Sequence, residues 1–120
     1  MNLLTNNSPV ELMIMTNKVK KVLLPLEQLT WTDLLVICVL HQLEQETQFI
    51  TSTQIIERLD MNKCWIYRAI RKLETKRFIL VQHRPQAASY LCTSGWGKIL
   101  LQRVAECIRG IDPCPLNLMD

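Results

Sequence analysis

The sequence predicts a mainly α-helical domain with one small β-hairpin, an α+β arrangement. Apolar residues recur at helical spacing over most of the chain, capping residues precede the predicted helices, and two short alternating segments flank Pro85. The 120 residues suffice for one domain with a buried core. With 48% apolar and 21% charged residues, the composition is typical of a globular protein and not of a disordered chain.

The first helix is predicted to begin at Ser8. Ser8 is a good N-cap, Pro9 suits the first helical position, and Glu11 completes a capping box. We expect Pro25 to end this segment, because proline cannot continue a regular helix. The apolar residues at helical spacing are Leu12, Met15, Val19, Val22 and Leu23.

A second helix is predicted to begin after Thr30, with Asp33 three residues later, and to continue to about Glu44. Its residues are apolar on nearly every side, which is typical of a helix in the middle of a domain. The longest apolar run, Leu34 to Leu40, has seven residues, far fewer than the roughly 20 that span a bilayer. The first ten residues carry no positive charge before an apolar run, so a secretory signal peptide is not predicted. We therefore expect a soluble, cytoplasmic protein without a membrane partner.

Two further helices are predicted on either side of a turn at Asp60 and Met61. Gln48 to Thr51 is expected to be extended, and Ser52 to cap a helix over residues 53–59. Asn62 caps the next helix, at about residues 63–76, whose apolar stripe is Ile66, Ala69, Ile70 and Leu73. Its other face carries Lys63, Tyr67, Arg68, Arg71 and Lys72. Two helices joined by a short turn, the second apolar behind and basic in front, are typical of a helix-turn-helix unit.

The remaining segments predict a hairpin and a last helix. Strands are expected at residues 78–84 and 89–92, with residues 85–88 as the turn. A final helix from about Thr93 to Arg109 ends at Gly110, and the tail with Pro113 and Pro115 is expected to be irregular. The apolar stripe of this helix is Trp96, Ile99, Leu100, Val104, Cys107 and Ile108.

This order of elements is that of a winged helix-turn-helix with an extra helix at each end. We assign residues 1–29 to an N-terminal helix and linker, 30–92 to the winged helix-turn-helix, and 93–120 to a C-terminal helix and tail. The apolar stripes of the two terminal helices have no obvious partner inside a compact winged helix. We expect them either to pair across the two-fold axis of a homodimer or to pack on each other within one subunit.

The basic residues are concentrated in one fifth of the chain. Residues 62–84 contain seven basic residues and one acid, so this segment carries a charge of +6, whereas the rest of the chain carries −3. A solvated helix face usually mixes both signs. A basic stripe with almost no acids instead indicates a polyanionic partner.

No metal, cofactor or catalytic residue is expected. The five cysteines form no C-x-x-C pair and the two histidines are isolated, so a zinc site is not predicted. The odd number of cysteines favours reduced thiols. The sequence contains no glycine-rich phosphate loop, carboxylate cluster or nucleophile-and-base arrangement supported by the chain order, so an enzyme is not expected.

Two motifs resemble the MarR family of bacterial regulators. The stretch STQIIERLDMNKCWIYRAIRKLETKRFI, residues 52–79, is similar to the family's capped helix, turn, recognition helix and closing L-E-x-x-G-L-I; LCTSG, residues 91–95, resembles its L-T-x-x-G. Asp60 and Arg77 stand where the family usually has glycine, Cys92 replaces a threonine, and the wing lacks the acidic-x-arginine motif. The resemblance covers about residues 30–101. It implies an intertwined homodimer, a pseudo-palindromic operator in double-stranded DNA, transcription regulation, and a small-molecule effector that no residue identifies.

The candidate DNA-binding residues divide by expected role. Lys63, Trp65, Tyr67 and Arg68 are candidates to face the bases, and the Arg68 fork suits guanine. Trp65 is an equally good candidate for the buried core. Asn62 is a further DNA-binding candidate, and the alternative is that it serves only as the N-cap of the helix. We expect phosphate contacts from Arg71, Lys72 and Arg84, and from the start of the preceding helix at Ser52, Thr53 and Gln54.

Cys64 is a candidate redox site. It lies in the first turn of the predicted recognition helix next to Lys63, where the helix terminus and the cation favour a thiolate. The alternative is an ordinary small residue near the turn.

Two other functions remain open. A winged helix also serves protein–protein contacts, in which case the basic helix meets an acidic partner. Plasmid or phage replication and maintenance proteins use the same fold to bind repeated sites in place of a promoter palindrome. Salt-sensitive binding to duplex DNA separates the first alternative from a regulator.

Overall fold

A computed structural model describes residues 8–110, which belong to two compact units. The described residues up to Leu29 and from Gln102 onward form the first unit, and Thr30–Leu101 forms the second. The tail with Pro113 and Pro115 lies outside the described residues. The elements are α1 (Pro9–Lys18), α2 (Leu24–Glu27), α3 (Trp31–Glu44), α4 (Ser52–Leu59), α5 (Lys63–Thr75), β1 (Ile79–Arg84), β2 (Ala87–Thr93) and α6 (Gly95–Ile108).

The first helix begins as predicted but does not end at Pro25. Ser8 Oγ accepts a hydrogen bond from the Glu11 N–H at 3.2 Å, which confirms the N-cap. The chain then passes from α1 through a π-helical segment, Val19–Leu23, into α2, where Pro25 is the second residue. A wider π turn changes the backbone pairing immediately before the proline, which lacks an N–H and would clash in a regular helix. The helix ends instead at Gln28, which has a φ of 56°.

Helix α3 is the central helix of the second unit. Asp33 Oδ2 accepts the Thr30 N–H at 2.8 Å, and Thr30 Oγ1 accepts the Asp33 N–H at 3.2 Å, so the predicted capping box is confirmed. Val36, Ile37 and Leu40 are fully buried. As the apolar pattern predicts, this helix contacts α4, α5 and β2 and anchors the helix-turn-helix.

The helix-turn-helix consists of α4 and α5. Thr51, and not Ser52, is the N-cap of α4, because Thr51 is still extended and its N–H donates to Gln54 Oε1 at 2.7 Å. Asp60 ends α4 with a φ of 51°, a left-handed conformation that aspartate tolerates. Asn62 Oδ1 accepts the Cys64 N–H at 2.8 Å, which confirms the cap of α5.

Strand β2 is longer than predicted, β1 begins one residue later, at Ile79, and the turn between them is shorter. Arg84 pairs with Ala87, so the turn contains only Pro85 and Gln86, and the two alanines expected in the turn belong to β2. The φ of 57° at Gln86 is the positive value that a type II turn needs after its proline. The predicted extended segment before α4 contributes one bridge, in which the Leu91 N–H donates to the Ile50 carbonyl at 2.8 Å.

Helix α6 begins two residues later than predicted. Thr93 pairs with Ile79 at the end of the sheet, and Ser94 Oγ accepts the Gly97 N–H at 3.0 Å. Gly110, with a φ of 90°, follows the helix as expected. Leu100 and Cys107 of the predicted apolar stripe are buried, and Trp96 is 38% exposed.

Gly97 is the glycine that the fold requires near the start of α6. A Cβ there would overlap the Phe78 carbonyl oxygen and crowd the Thr93 methyl, whereas a Cβ on Gly95 would meet nothing within 4 Å. We expect Gly97→Ala to lower the free energy of unfolding by about 1–3 kcal/mol, because the backbone must shift. Gly95→Ala, the matched control, should be neutral or slightly stabilising. Urea denaturation of both variants measures the difference, and equal stabilities would contradict this packing.

Within residues 8–110, no single helix has the length and apolar composition needed to cross a bilayer. Only the helical segments Pro9–Glu27 and Trp31–Glu44, taken together as a bent pair, have sufficient length and apolar composition.

Candidate nucleic-acid interface

Helix α5 is buried on one face and presents cations and aromatic groups on the other. Ile66, Ala69, Ile70 and Leu73 are buried, as predicted. Lys63, Cys64, Tyr67, Arg68 and Arg71 are exposed. Cys64, Arg68, Arg71 and Thr75 are spaced by four, three and four residues, so they form a single stripe along the outer side of the helix. We call these four residues the outer stripe of α5.

One flank of the outer stripe faces the start of α3. Here a cleft of about 350 Å³ is lined by Thr30, Thr32, Asp33, Trp65, Arg68, Ala69 and Lys72. Trp65 is 54% exposed, so the structure places it at the surface and not in the core. An exposed tryptophan beside an arginine offers contact area for a partner.

Lys72 is held in this cleft by a buried carboxylate. Lys72 Nζ lies 3.0 Å from Asp33 Oδ2, and Asp33 is only 3% exposed. The same oxygen accepts the Thr30 N–H, so it joins the start of α3 to the side of α5. The predicted phosphate contact therefore has a partner inside the protein. The sequence does not predict this ion pair, because Asp33 is remote from Lys72 in the sequence and its role in the capping box already accounts for it.

The other flank is a second cleft, of about 480 Å³, between α4, α5 and the hairpin. Four predicted site residues line it together: Ser52, Thr53, Tyr67 and Arg71. Gln54 does not line it, since its side chain caps α4. The structure adds three polar residues that were not singled out from the sequence, Glu74, His83 and Ser89. Only the pairing of β1 with β2 and their packing beside α5 brings these three together.

Arg84, the predicted wing cation, is held on the surface of the hairpin. Its Nε donates to the Ala88 carbonyl at 2.7 Å, and Nη1 donates to the Tyr90 hydroxyl at 2.8 Å. The guanidinium carbon lies 3.7 Å from the centre of the Tyr90 ring, and that ring packs against Phe49. Cation–π contact and two hydrogen bonds fix the position of this charge.

The described cysteines differ in accessibility. Burial raises the pKa of the Cys38 thiol to about 11, so this thiol stays protonated at neutral pH. Cys64 is exposed on the outer stripe, one helical turn before Arg68. Oxidation of Cys64 remains a prediction. Among residues 8–110, no group of three or more histidine, cysteine or acidic side chains is arranged to hold a metal ion.

No protein-family model and no curated protein matches the sequence. Solved structures with the same fold are found instead. MepR of Staphylococcus aureus, in a variant bound to an oligodeoxyribonucleotide, is 17% identical with a TM-score of 0.69, and the match covers 82% of this chain and 70% of that one. A MarR-family transcriptional regulator from Rhodococcus is 12% identical with a TM-score of 0.64, over 82% of this chain and 67% of that one.

BpsR of Bordetella bronchiseptica, whose DNA binding is regulated by 6-hydroxynicotinic acid, is 17% identical to this chain with a TM-score of 0.55. The match covers 76% of this chain and 74% of BpsR. At these identities the similarity establishes the fold. The chain has the MarR-like winged helix-turn-helix fold.

Proposed function

We propose that this chain regulates transcription by sequence-specific binding to double-stranded DNA. The observation that carries the proposal is the outer stripe of α5, an exposed row with two arginines on a helix whose other face is buried. The major groove of B-DNA is about 12 Å wide and admits one α-helix. MepR, which has the same fold, has been solved with an oligodeoxyribonucleotide. Helix α5 is therefore the proposed recognition helix.

The proposed contacts follow from where the side chains lie. The exposed residues of α5 that would face the bases are Lys63, Trp65, Tyr67 and Arg68. Arg68 is the candidate for a guanine contact. Arg71 lies in the cleft beside the hairpin, where a phosphate would also meet the start of α4 at Ser52 and Thr53. Arg84 supplies a further phosphate contact from the wing.

We further propose that the protein binds as a homodimer through its terminal helices. Val10, Met13 and Ile14 of α1 are 65%, 73% and 62% exposed. They line an apolar surface hollow of about 720 Å³ together with Leu12, Thr16, Asn17 and Lys20. Exposed apolar patches of this kind mark interaction sites. A second copy of the chain is the natural occupant, because a two-fold dimer presents two recognition helices to a pseudo-palindromic site.

The proposal includes a cytoplasmic location and no catalytic activity. It also includes a small-molecule effector, since 6-hydroxynicotinic acid regulates the DNA binding of BpsR, which has the same fold.

Fluorescence anisotropy of the purified protein with duplexes from around its own gene tests the proposal. We expect one fragment to bind most tightly and its affinity to fall steeply with salt, with each phosphate contact adding about 0.9 to the log–log slope. Sedimentation of the free protein should show a dimer. Absent or salt-independent binding would contradict the proposal and favour an acidic protein partner. Binding to tandemly repeated sites in place of a palindrome would instead indicate a replication or maintenance protein.

A further inference from the structure

We infer that His83 is a pH-dependent member of the DNA-binding surface, and that its charge sets how strongly the cleft between α5 and the hairpin holds a DNA phosphate. The inference rests on the proposed function and adds a residue and a form of regulation to it. It starts from a group of three side chains contributed by three different elements.

His83 joins the hairpin to the end of helix α5. Its Nε2 lies 3.3 Å from Glu74 Oε2, and its Nδ1 lies 3.4 Å from Ser89 Oγ. The side chain of His83 is 73% exposed and that of Glu74 is 40% exposed. The imidazole therefore connects the wing to the recognition helix while remaining open to solvent and to a ligand.

The combination of a serine, a histidine and a carboxylate resembles a hydrolase triad in composition only. Both distances exceed the 2.6–3.2 Å typical of a catalytic nucleophile and its base. The acid that would orient the base is exposed, whereas a triad buries it. A binding role fits these exposed, loosely joined groups better than a catalytic one.

The charges around His83 decide the direction of the effect. On α5 the groups facing this cleft are Arg71, Glu74 and the Tyr67 phenol. The start of α4 and strand β2 contribute hydroxyl groups from Ser52, Thr53 and Ser89. With neutral histidine the charges of Arg71 and Glu74 cancel, and the carboxylate repels a phosphate. With protonated histidine the cleft carries one net positive charge and Glu74 is neutralised.

Histidine is the side chain that changes charge between pH 5 and 8. A phosphate bound in the cleft favours protonated His83, so DNA binding should be accompanied by proton uptake. By linkage, DNA affinity should then increase as the pH falls. One coupled proton changes affinity by at most tenfold per pH unit.

The test is anisotropy of the full chain with its best-binding duplex, at constant ionic strength, from pH 6.0 to 8.0. We expect wild-type affinity to rise by about three- to tenfold at the acidic end, as coupling to one proton allows. His83→Gln should lose this rise. His41→Gln is the matched control, because His41 is the other histidine of the sequence, lies on α3 and does not line this cleft; this variant should keep the rise.

Glu74→Gln supplies a second measurement. It should bind more tightly than wild type at pH 8.0 and lose most of that advantage at pH 6.0, because protonation of His83 in the wild type neutralises the carboxylate. A role of Glu74 in folding alone would instead weaken binding at every pH. Binding that is unaffected by pH, or a pH dependence that survives in His83→Gln, would overturn the inference and leave the proposed function intact. Absence of DNA binding at every pH would overturn both.

Discussion

Replacing Arg68 and Arg71 together with alanine is expected to reduce DNA affinity by about 100-fold or more. Both side chains are exposed on the outer stripe of α5, three residues apart. A bidentate arginine–guanine contact contributes about 1–3 kcal/mol of discrimination, and each 1.4 kcal/mol is a factor of ten. The log–log salt slope should also fall, by about 0.9 for each phosphate that the variant no longer binds. Anisotropy titrations at several salt concentrations measure both effects.

The control for this variant removes the same charge elsewhere. Lys98 and Arg109 are exposed on and just after α6, and neither lines the two clefts beside α5. Lys98→Ala/Arg109→Ala should therefore bind DNA almost as well as wild type. Equal reductions of affinity in the two double variants would mean that net charge alone, and not the outer stripe of α5, determines binding. Circular dichroism and sedimentation of both variants would verify that each remains folded and dimeric, since Lys98 and Arg109 lie on or beside a helix proposed for the dimer.

Removing the Lys72 ammonium is expected to destabilise the fold while sparing DNA binding. Lys72→Met leaves the Asp33 carboxylate, 3% exposed, without the cation that lies 3.0 Å away. Losing the partner of a buried charged group typically costs about 2–3 kcal/mol. We expect a decrease of that size in the free energy of unfolding, measured by urea denaturation. Combining the variant with Asp33→Asn should recover part of this stability, since the amide oxygen can still accept the Thr30 N–H.

Lys63→Met is the matched comparison on the same helix. Lys63 is exposed in the first turn of α5, so its replacement should change stability by less than about 0.5 kcal/mol. It should reduce the salt slope of DNA binding, whereas Lys72→Met should leave that slope unchanged. A slope that falls by about 0.9 in Lys72→Met, without a decrease in stability, would instead return Lys72 to the phosphate contacts.

Features that depend on neighbouring residues were predicted well. The caps at Ser8, Thr30 and Asn62 are confirmed. They could be predicted because each hydrogen bond joins residues no more than three apart in the sequence. The buried stripe of α5 is confirmed because helical periodicity is a property of one segment. The turn predicted at Asp60 is also confirmed, with a φ of 51° that aspartate tolerates. Together these features sufficed to predict a winged helix-turn-helix.

Features that depend on distant residues were not predicted. Thr93 was assigned to the last helix, but its pairing with Ile79 keeps it in the sheet. Two local predictions also failed, because a π-helical segment accommodates Pro25 and Thr51 replaces Ser52 as the cap of α4. Trp96 has the apolar period of its helix and is 38% exposed. Periodicity specifies which residues share a face but not what covers that face.

The sequence by itself therefore determined the order of the main helices, the caps at Ser8, Thr30 and Asn62, and the concentration of positive charge on one helix. The tertiary structure alone decided which of those charges are available to a partner. Asp33 pairs with Lys72, and Glu74 lies against His83. The physical reason is that charge follows from composition, whereas its availability depends on ion pairs between side chains from different elements. Those pairs exist only after α3, α5 and the hairpin have packed together.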